Sequence, residues 1–254
     1  MLAGVCPPAP RLAVIGSRAA RRDRLALLPA VAARAAAAGL ALVSGGAVGI
    51  DAGAHRAALA AGLPQLAVLP CAADRPYPPQ HAPLFREIAA AVGSGLLYCH
   101  LPGTAPAKGM FASRNAIVVE LARAVLVVEA QARSGSHGTG RLALRRGRPV
   151  AAVLGSSGCA ELIAGGARAL PAEPSAFASA LSAWLAELAG SDVTSGPIWP
   201  PALAWLAEAL ERAGPRGICL DDLDRPFARL VDLLAAERLG LIVEAPPGRY
   251  RRVG

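Results

Sequence analysis

Six short apolar runs recur along the first 170 residues with helix-forming segments between them, and this alternation confines the chain to one architectural class. The runs are LAVIG (12–16), LALVSG (40–45), QLAVLP (65–70), GLLYC (95–99), AVLVVEA (124–130) and PVAAVLG (149–155), each free of charge until its end. Strands that are apolar on both faces belong in a parallel sheet covered by helices on either side. Residues 22–38, 50–61, 82–92, 115–122 and 138–146 have the composition and length of those helices. The pattern predicts a doubly wound, Rossmann-like α/β fold with a mostly parallel sheet. At 254 residues the chain also has room for a second, smaller domain.

Several classes are excluded on composition. A chain that is 54% hydrophobic buries a substantial core and is not disordered. The longest charge-free run, 88–107, contains Gly93, Gly95, His100, Pro102, Gly103 and Pro106, so it is strand and loop rather than a membrane span. The first residues, MLAGVCPPAPR, have no basic residue ahead of their short apolar stretch and reach two prolines by position 8, so they lack the layout of a secretory signal, which points to a cytoplasmic protein. Cys6, Cys71, Cys99, Cys159 and Cys219 are scattered and never form a CxxC pair, so neither a disulfide framework nor a zinc site is expected. Neither GxGxxG nor GxxxxGK[ST] occurs, which argues against dinucleotide binding of the usual kind and against P-loop chemistry, and no bound cofactor is expected.

The net charge of +8 suggests an anionic partner. Residues 1–197 carry 18 Lys and Arg against 10 Asp and Glu, whereas residues 198–254 carry 8 against 8. The excess therefore belongs to the α/β part. In a doubly wound sheet, ligands bind beyond the carboxyl ends of the strands. Those ends run into Gly16-Ser17-Arg18, into Ser44-Gly45-Gly46 and on to Gly49, and into Ser134-Gly135 with Thr139. Another helix opens with Phe111, Arg114 and Asn115. Small residues at such places leave helix N-terminal amides open to phosphate. Taken alone, the glycines at 45, 46 and 49 fit a tight strand-to-helix turn equally well.

As an ordered set, these segments resemble the DNA-processing protein A family, also called Smf. The family pattern runs GSR, SGxARGIDxxAH, YPxxNxxL, FPxRNR, SGxxxTA and GRxVxAVPG. Here it is met by Gly16-Ser17-Arg18, by Ser44-Gly45-Gly46-Ala47-Val48-Gly49-Ile50-Asp51 with Ala54-His55, by Tyr77-Pro78 with Leu84, by Phe111 with Arg114-Asn115, by Ser134-Gly135 with Thr139, and by Gly147-Arg148 with Val150 and Gly155. The resemblance implies a protein that binds single-stranded DNA during natural transformation, shields it from nucleases, loads a RecA-type recombinase and works as a homodimer, without catalysis. Arg18, Lys108 and Arg114 would then neutralise phosphates, Ser17 and Asn115 would donate hydrogen bonds, and Phe111 would either stack on a base or pack in the core. Val48 and Ala116 stand where the family has arginines, His81 where it has Asn, Ala112 where it has Pro and Gly140 where it has Ala. Many relatives carry a helical domain ahead of the sheet, and this chain opens almost at its first strand.

A second function class stays open. The segment Ser136-His137-Gly138-Thr139 is similar to the GGxGTxxE loop of phosphoribohydrolases on the same fold, which implies a nucleotide sensor or hydrolase. Leu142 occupies the position of the glutamate, leaving Glu129 as the nearest acid. A closed pocket around His137 and Glu129 would favour that class. Asp51 and His55, four apart, suit one helix face; the expectation is that Asp51 serves first-turn amides while His55 packs inward.

Residues 191–200 have a linker's composition, separating an α/β domain (1–190) from a second domain (201–254). That domain reads as three helices followed by a hairpin turning at 246–248, a winged helix, and the family often ends in one. Its stretch 221–237 holds Asp221, Asp222, Asp224, Asp232 and Glu237 against Arg225 and Arg229, which suits a protein partner better than duplex DNA.

Overall fold

The computed structural model describes residues 1–104, 109–190, 203–219, 233, 236–237, 241–244 and 249–252. The chain divides into two units, Met1–Asp192 and Val193–Gly254. The first contains β1 (Leu2–Gly4), β2 (Arg11–Gly16), α1 (Arg22–Leu25), α2 (Leu28–Ala37), β3 (Ala41–Ser44), α3 (Ile50–Ala60), β4 (Gln65–Leu69), α4 (Ala82–Ala90) and β5 (Gly95–Tyr98). It continues through α5 (Met110–Leu121), β6 (Ala124–Glu129), α6 (Gly135–Arg145), β7 (Val150–Val153), α7 (Ser157–Ala164), β8 (Arg168–Leu170) and α8 (Pro174–Gly190).

The sheet order is β1-β5-β4-β3-β2-β6-β7-β8, with β1 antiparallel to β5 and every other pairing parallel. Side chains on successive strand positions point to opposite faces. Leu12 and Val14 accordingly join one core with Leu42, Leu126 and the α2, α3 and α8 side chains Val31, Ala54 and Phe177. Ala13 and Ile15 join the other, with Val43, Val127 and Val118, Ala143 and Leu162 of α5, α6 and α7. Leu84, Phe85 and Ile88 of α4 close a third cluster over Leu69 and Leu96. This is the Rossmann-like α/β fold expected from the sequence.

Three details depart from the expected elements. The helix expected over 22–38 is two, because Pro29 has no amide to donate and fits only in a first turn, where α2 places it. α5 starts at Met110 and α6 at Gly135, ahead of the ranges 115–122 and 138–146 read from the sequence, so Phe111, Arg114 and Gly135 lie within the helices. β1, α7 and β8 were absent from the sequence reading; β1 and β8 have only three residues each, too few to show a period.

In the second unit, α9 (Ala204–Ala213) precedes β9 (Ile218–Cys219), β10 (Ile242–Glu244) and β11 (Arg249–Arg252), which form an antiparallel sheet in the order β10-β11-β9. Leu206, Leu210, Ile218, Leu233 and Ile242 make its core. The expected linker, the acidic stretch up to residue 232 and the hairpin turn lie outside the described residues.

His55 on α3 is fully buried, with Nδ1 2.7 Å from Oε1 of Gln65 on β4. Burial holds its pKa down to about 4. An unfolded histidine titrates near 6.5, so between these values the unfolded chain binds the extra proton and stability falls as the pH is lowered from about 6.5 to 4. Urea unfolding across this window should show that decline, and His55→Gln should flatten it. An equal slope in the variant would assign the decline to other groups.

Candidate functional site

The strand order reverses between β2 and β6, so the segments leaving these adjacent strands run to opposite sides and open a crevice at their carboxyl ends. A cleft of about 390 Å³ lies there. Gly16, Ser17 and Arg18 bound it after β2, Gly45 and Ala47 after β3, Asp51 on α3, Arg114 and Asn115 on α5, and Ser134, Gly135, Ser136 and Thr139 at the start of α6. Most of the residues singled out from the sequence are thus brought to one place.

One wall is a helix N-terminus. Ser134 caps α6 through Oγ, which accepts from the His137 amide at 3.2 Å, while the amides of Gly135 and Ser136, first in the helix, have no intrahelical acceptor. Ser136 Oγ donates to Gly16 O at 2.6 Å and ties this wall to the end of β2. Thr139 donates to Gly135 O at 2.8 Å, so its hydroxyl is committed to the helix.

The opposite wall is built on Arg114, which is 3% exposed. Its Nη1 donates to the carbonyls of Gly45 and, at 3.2 Å, Val68, and lies 3.9 Å from Asp51 Oδ2. A Cβ on Gly45 would overlap the same nitrogen, so the room at this glycine is taken by a guanidinium. Asp51 also accepts from the Ala47 amide at 3.4 Å, an amide in the turn ahead of α3 rather than in its first turn. Burial pushes the Asp51 pKa up, and Arg114 opposes that rise. Burial likewise pulls Arg114 down, and Asp51 opposes it. The pair holds the β3–α3 turn, and the Nε of Arg114 has no hydrogen-bond partner among the described residues.

Two further expected residues sit behind the cleft. Ser44 is fully buried and donates to Val14 O at 2.6 Å, and Gly46 pairs through its carbonyl with His81 Nδ1 at 3.0 Å. Both shape the turn from inside. Lys108 lies outside the described residues.

Phe111 is 36% exposed on the first turn of α5. The guanidinium carbon of Arg18 stands 5.1 Å from its ring centroid, and Tyr77 meets it edge-on at 5.6 Å. Arg18, Tyr77 and Phe111 line a smaller hollow of about 100 Å³ that shares Gly45, Ala47 and Arg114 with the cleft. Tyr77 entered the sequence reading as part of a motif but not as a site residue, since nothing in its local pattern pairs it with a ring 34 positions away. Ser136 was missed for the same reason: its partner, Gly16, is 120 positions distant.

His137 and Glu129 are not among the residues lining either cavity. Glu129 accepts from the Arg21 amide at 3.0 Å and from its Nε at 3.2 Å. His137 Nδ1 accepts from the Arg133 amide at 3.2 Å, and its Nε2 lies 3.1 Å from Glu161 Oε2. Both groups are engaged away from the cleft. Among the described residues no cluster of three or more His, Cys, Asp or Glu could hold a metal, and no helix is long and apolar enough to cross a membrane.

Known proteins resemble this chain in sequence and in fold. A Mycobacterium tuberculosis relative named as a DNA processing protein DprA is 44% identical over 167 residues, covering 63% of this chain and 42% of the relative. The chain therefore spans about two fifths of that relative's length. The X-ray structure of DNA processing protein A from Streptococcus pneumoniae superposes with a TM-score of 0.60 at 35% identity, covering 67% of this chain and 61% of that one. DNA processing protein A from Helicobacter pylori, whose structure concerns a single-stranded DNA binding mode, gives 0.59 at 29% identity over 66% of this chain and 80% of that one. The model of DNA recombination-mediator protein A matches residues 5–181, which contain the whole cleft. By these matches and by the fold they share, the chain belongs to the DNA recombination-mediator protein A family.

Proposed function

We propose that this protein binds single-stranded DNA along the carboxyl edge of its sheet, in the cytoplasm and without turning over a substrate. The observation that carries the reading is the exposed trio of Arg18, Phe111 and Tyr77 on the rim of a cleft walled by the α6 N-terminus. A cation and first-turn amides suit phosphate, while a half-exposed ring offers a face to an unpaired base without reading its sequence. The solved relative with a single-stranded DNA binding mode supports the same assignment. Loading of a RecA-type recombinase, homodimerisation and a winged-helix second domain follow from the family resemblance, and a protein partner for that domain follows from the acidic balance of 221–237. The hydrolase or nucleotide-sensor alternative loses its support, because Glu129 and His137 are engaged in other contacts.

Of the two described arginines expected to meet phosphate, Arg18 is the informative one, since it is exposed and Arg114 is buried against carbonyls. Fluorescence anisotropy of labelled oligo-dT should show binding that weakens with salt, with a log–log slope of about −0.7 per phosphate neutralised. Arg18→Ala should make that slope shallower by about 0.7 and lower the affinity, and equal-length duplex should compete poorly. Absence of binding at low salt, or a slope indifferent to Arg18, overturns the reading.

A further inference from the structure

The β2–α1 loop, residues 17–21, walls the cleft with Ser17, Arg18 and Ala19 and carries the exposed Arg18 guanidinium. The place of that guanidinium depends on how the two ends of the loop are held. At the near end Ser17 O accepts from the Ile50 amide at 3.1 Å, which docks the loop on α3. The middle contributes little: the Ala19 amide bonds within the loop, to Ser17 Oγ at 3.2 Å, and Ala20 adds one methyl to the core. The far end is held by Glu129. Its Oε2 accepts from the Arg21 amide at 3.0 Å and its Oε1 lies 3.2 Å from Arg21 Nε, so one carboxylate grips both the main chain and the side chain of the residue before α1.

Glu129 is the last residue of β6 and is 3% exposed, and a carboxylate so buried persists only where it is paired and hydrogen-bonded. A register shift between Ile15 and Gly16 sets it opposite Gly16, the point at which the loop leaves β2. Irregularities of this kind re-aim a side chain. α1 has a separate anchor in Arg24, whose Nη2 donates to Leu154 O at 2.8 Å beyond the end of β7. The helix therefore keeps a hold of its own, and the Glu129 contact acts on the loop. It also takes up the charge of Arg21, so that Arg18, which has no carboxylate partner among the described residues, is the cation the loop presents 5.1 Å from the Phe111 ring. We infer that Glu129 is a positioning residue for strand binding: by holding the Arg21 end of the loop it keeps Arg18 over Phe111, where a phosphate can reach it. This inference rests on the proposed strand binding and adds to it the buried group on which the contribution of Arg18 depends.

The test measures Arg18 through Glu129. The salt dependence of oligo-dT affinity is recorded for the full chain, with and without Arg18→Ala, in the wild type, in Glu129→Ala and in Glu129→Gln. In the wild type Arg18 should contribute about 0.7 to the log–log slope, the share of one phosphate on a single strand. In Glu129→Ala, where the Arg21 amide loses its acceptor, that contribution should largely vanish. In Glu129→Gln it should persist, because the side-chain amide oxygen still accepts from the main chain whatever becomes of the Arg21 side chain. A merely structural role for Glu129 would lower the thermal midpoint and leave the Arg18 contribution of the folded protein in place. An undiminished Arg18 contribution in folded Glu129→Ala therefore overturns the inference and leaves strand binding intact. Should Glu129→Ala not fold, Glu129→Met, similar in size and lacking an oxygen, decides in its place. A wild-type protein that binds no strand overturns both readings.

Discussion

Arg114→Ala is expected to lower the unfolding free energy by about 3–5 kcal/mol, the range for breaking a buried ion pair from one side. The guanidinium is 3% exposed, bridges the carbonyls of Gly45 and Val68, and faces Asp51. Removing it strands a buried carboxylate and two buried carbonyls together, each with its own desolvation cost. The pH dependence follows from Asp51. Its carboxyl already titrates above its ordinary value because of burial, and Arg114 is the group that chiefly opposes the rise. Without Arg114 the folded-state value climbs further. A carboxyl raised above its unfolded value supports folding while protonated and loses that support as the pH rises through the folded value. The deficit should therefore be smallest in acid and grow towards neutral pH, and adding Asp51→Asn should return part of it. Urea midpoints at pH 5 and pH 8 check both points. A loss below about 1 kcal/mol with abolished strand binding would instead mark Arg114 as a surface phosphate ligand.

Gly49→Ala should cost about 4 kcal/mol, combining a left-handed backbone forced on alanine with overpacking against the main chain. Gly49 has φ of 82°, and a Cβ there would overlap the carbonyls of Ser17 and Arg18. Neither can yield easily. Ser17 O accepts from the Ile50 amide at 3.1 Å, so the loop bearing Arg18 is docked on the start of α3 through the very atoms an alanine would displace. The variant should lose stability and, where still folded, lose the salt-dependent contribution of Arg18 to strand binding. Gly138→Ala is the contrasting substitution: that glycine is exposed within α6 with open space around it, and alanine there should add about 0.5–1 kcal/mol. Equal stability of Gly49→Ala and wild type would refute the docking of the two loops.

Gly140 shows why departures from the family pattern need coordinates to interpret. A Cβ there would meet Leu162 Cδ1 at 2.7 Å and Val127 Cγ2 at 3.3 Å, so the volume that alanine fills in the family pattern is filled here from α7 and β6. From the sequence, the position shows only as a departure from the family pattern. In the structure it is a close contact of α6 with α7 and β6.

The sequence by itself determined the layers and the edge of the sheet at which the candidate cleft opens. Apolar runs without alternation can be buried only on both faces, helices between them force parallel crossovers, and glycine and hydroxyl residues at the run ends mark the carboxyl edge; all of this is local information. Short elements escaped because β1 and β8 have no period to read, and the starts of α5 and α6 were set late because glycine and serine hide helical intent. The roles within the site were decided by tertiary structure alone. Arg114 and Arg18 are the same residue type in equally plausible motifs. One is drawn inside by Gly45, Val68 and Asp51, from three separate elements, and the other is left at the rim over Phe111. Whether an arginine meets a phosphate or a carbonyl depends on what the chain places opposite it, and those partners lie tens of residues away, beyond the reach of any local pattern.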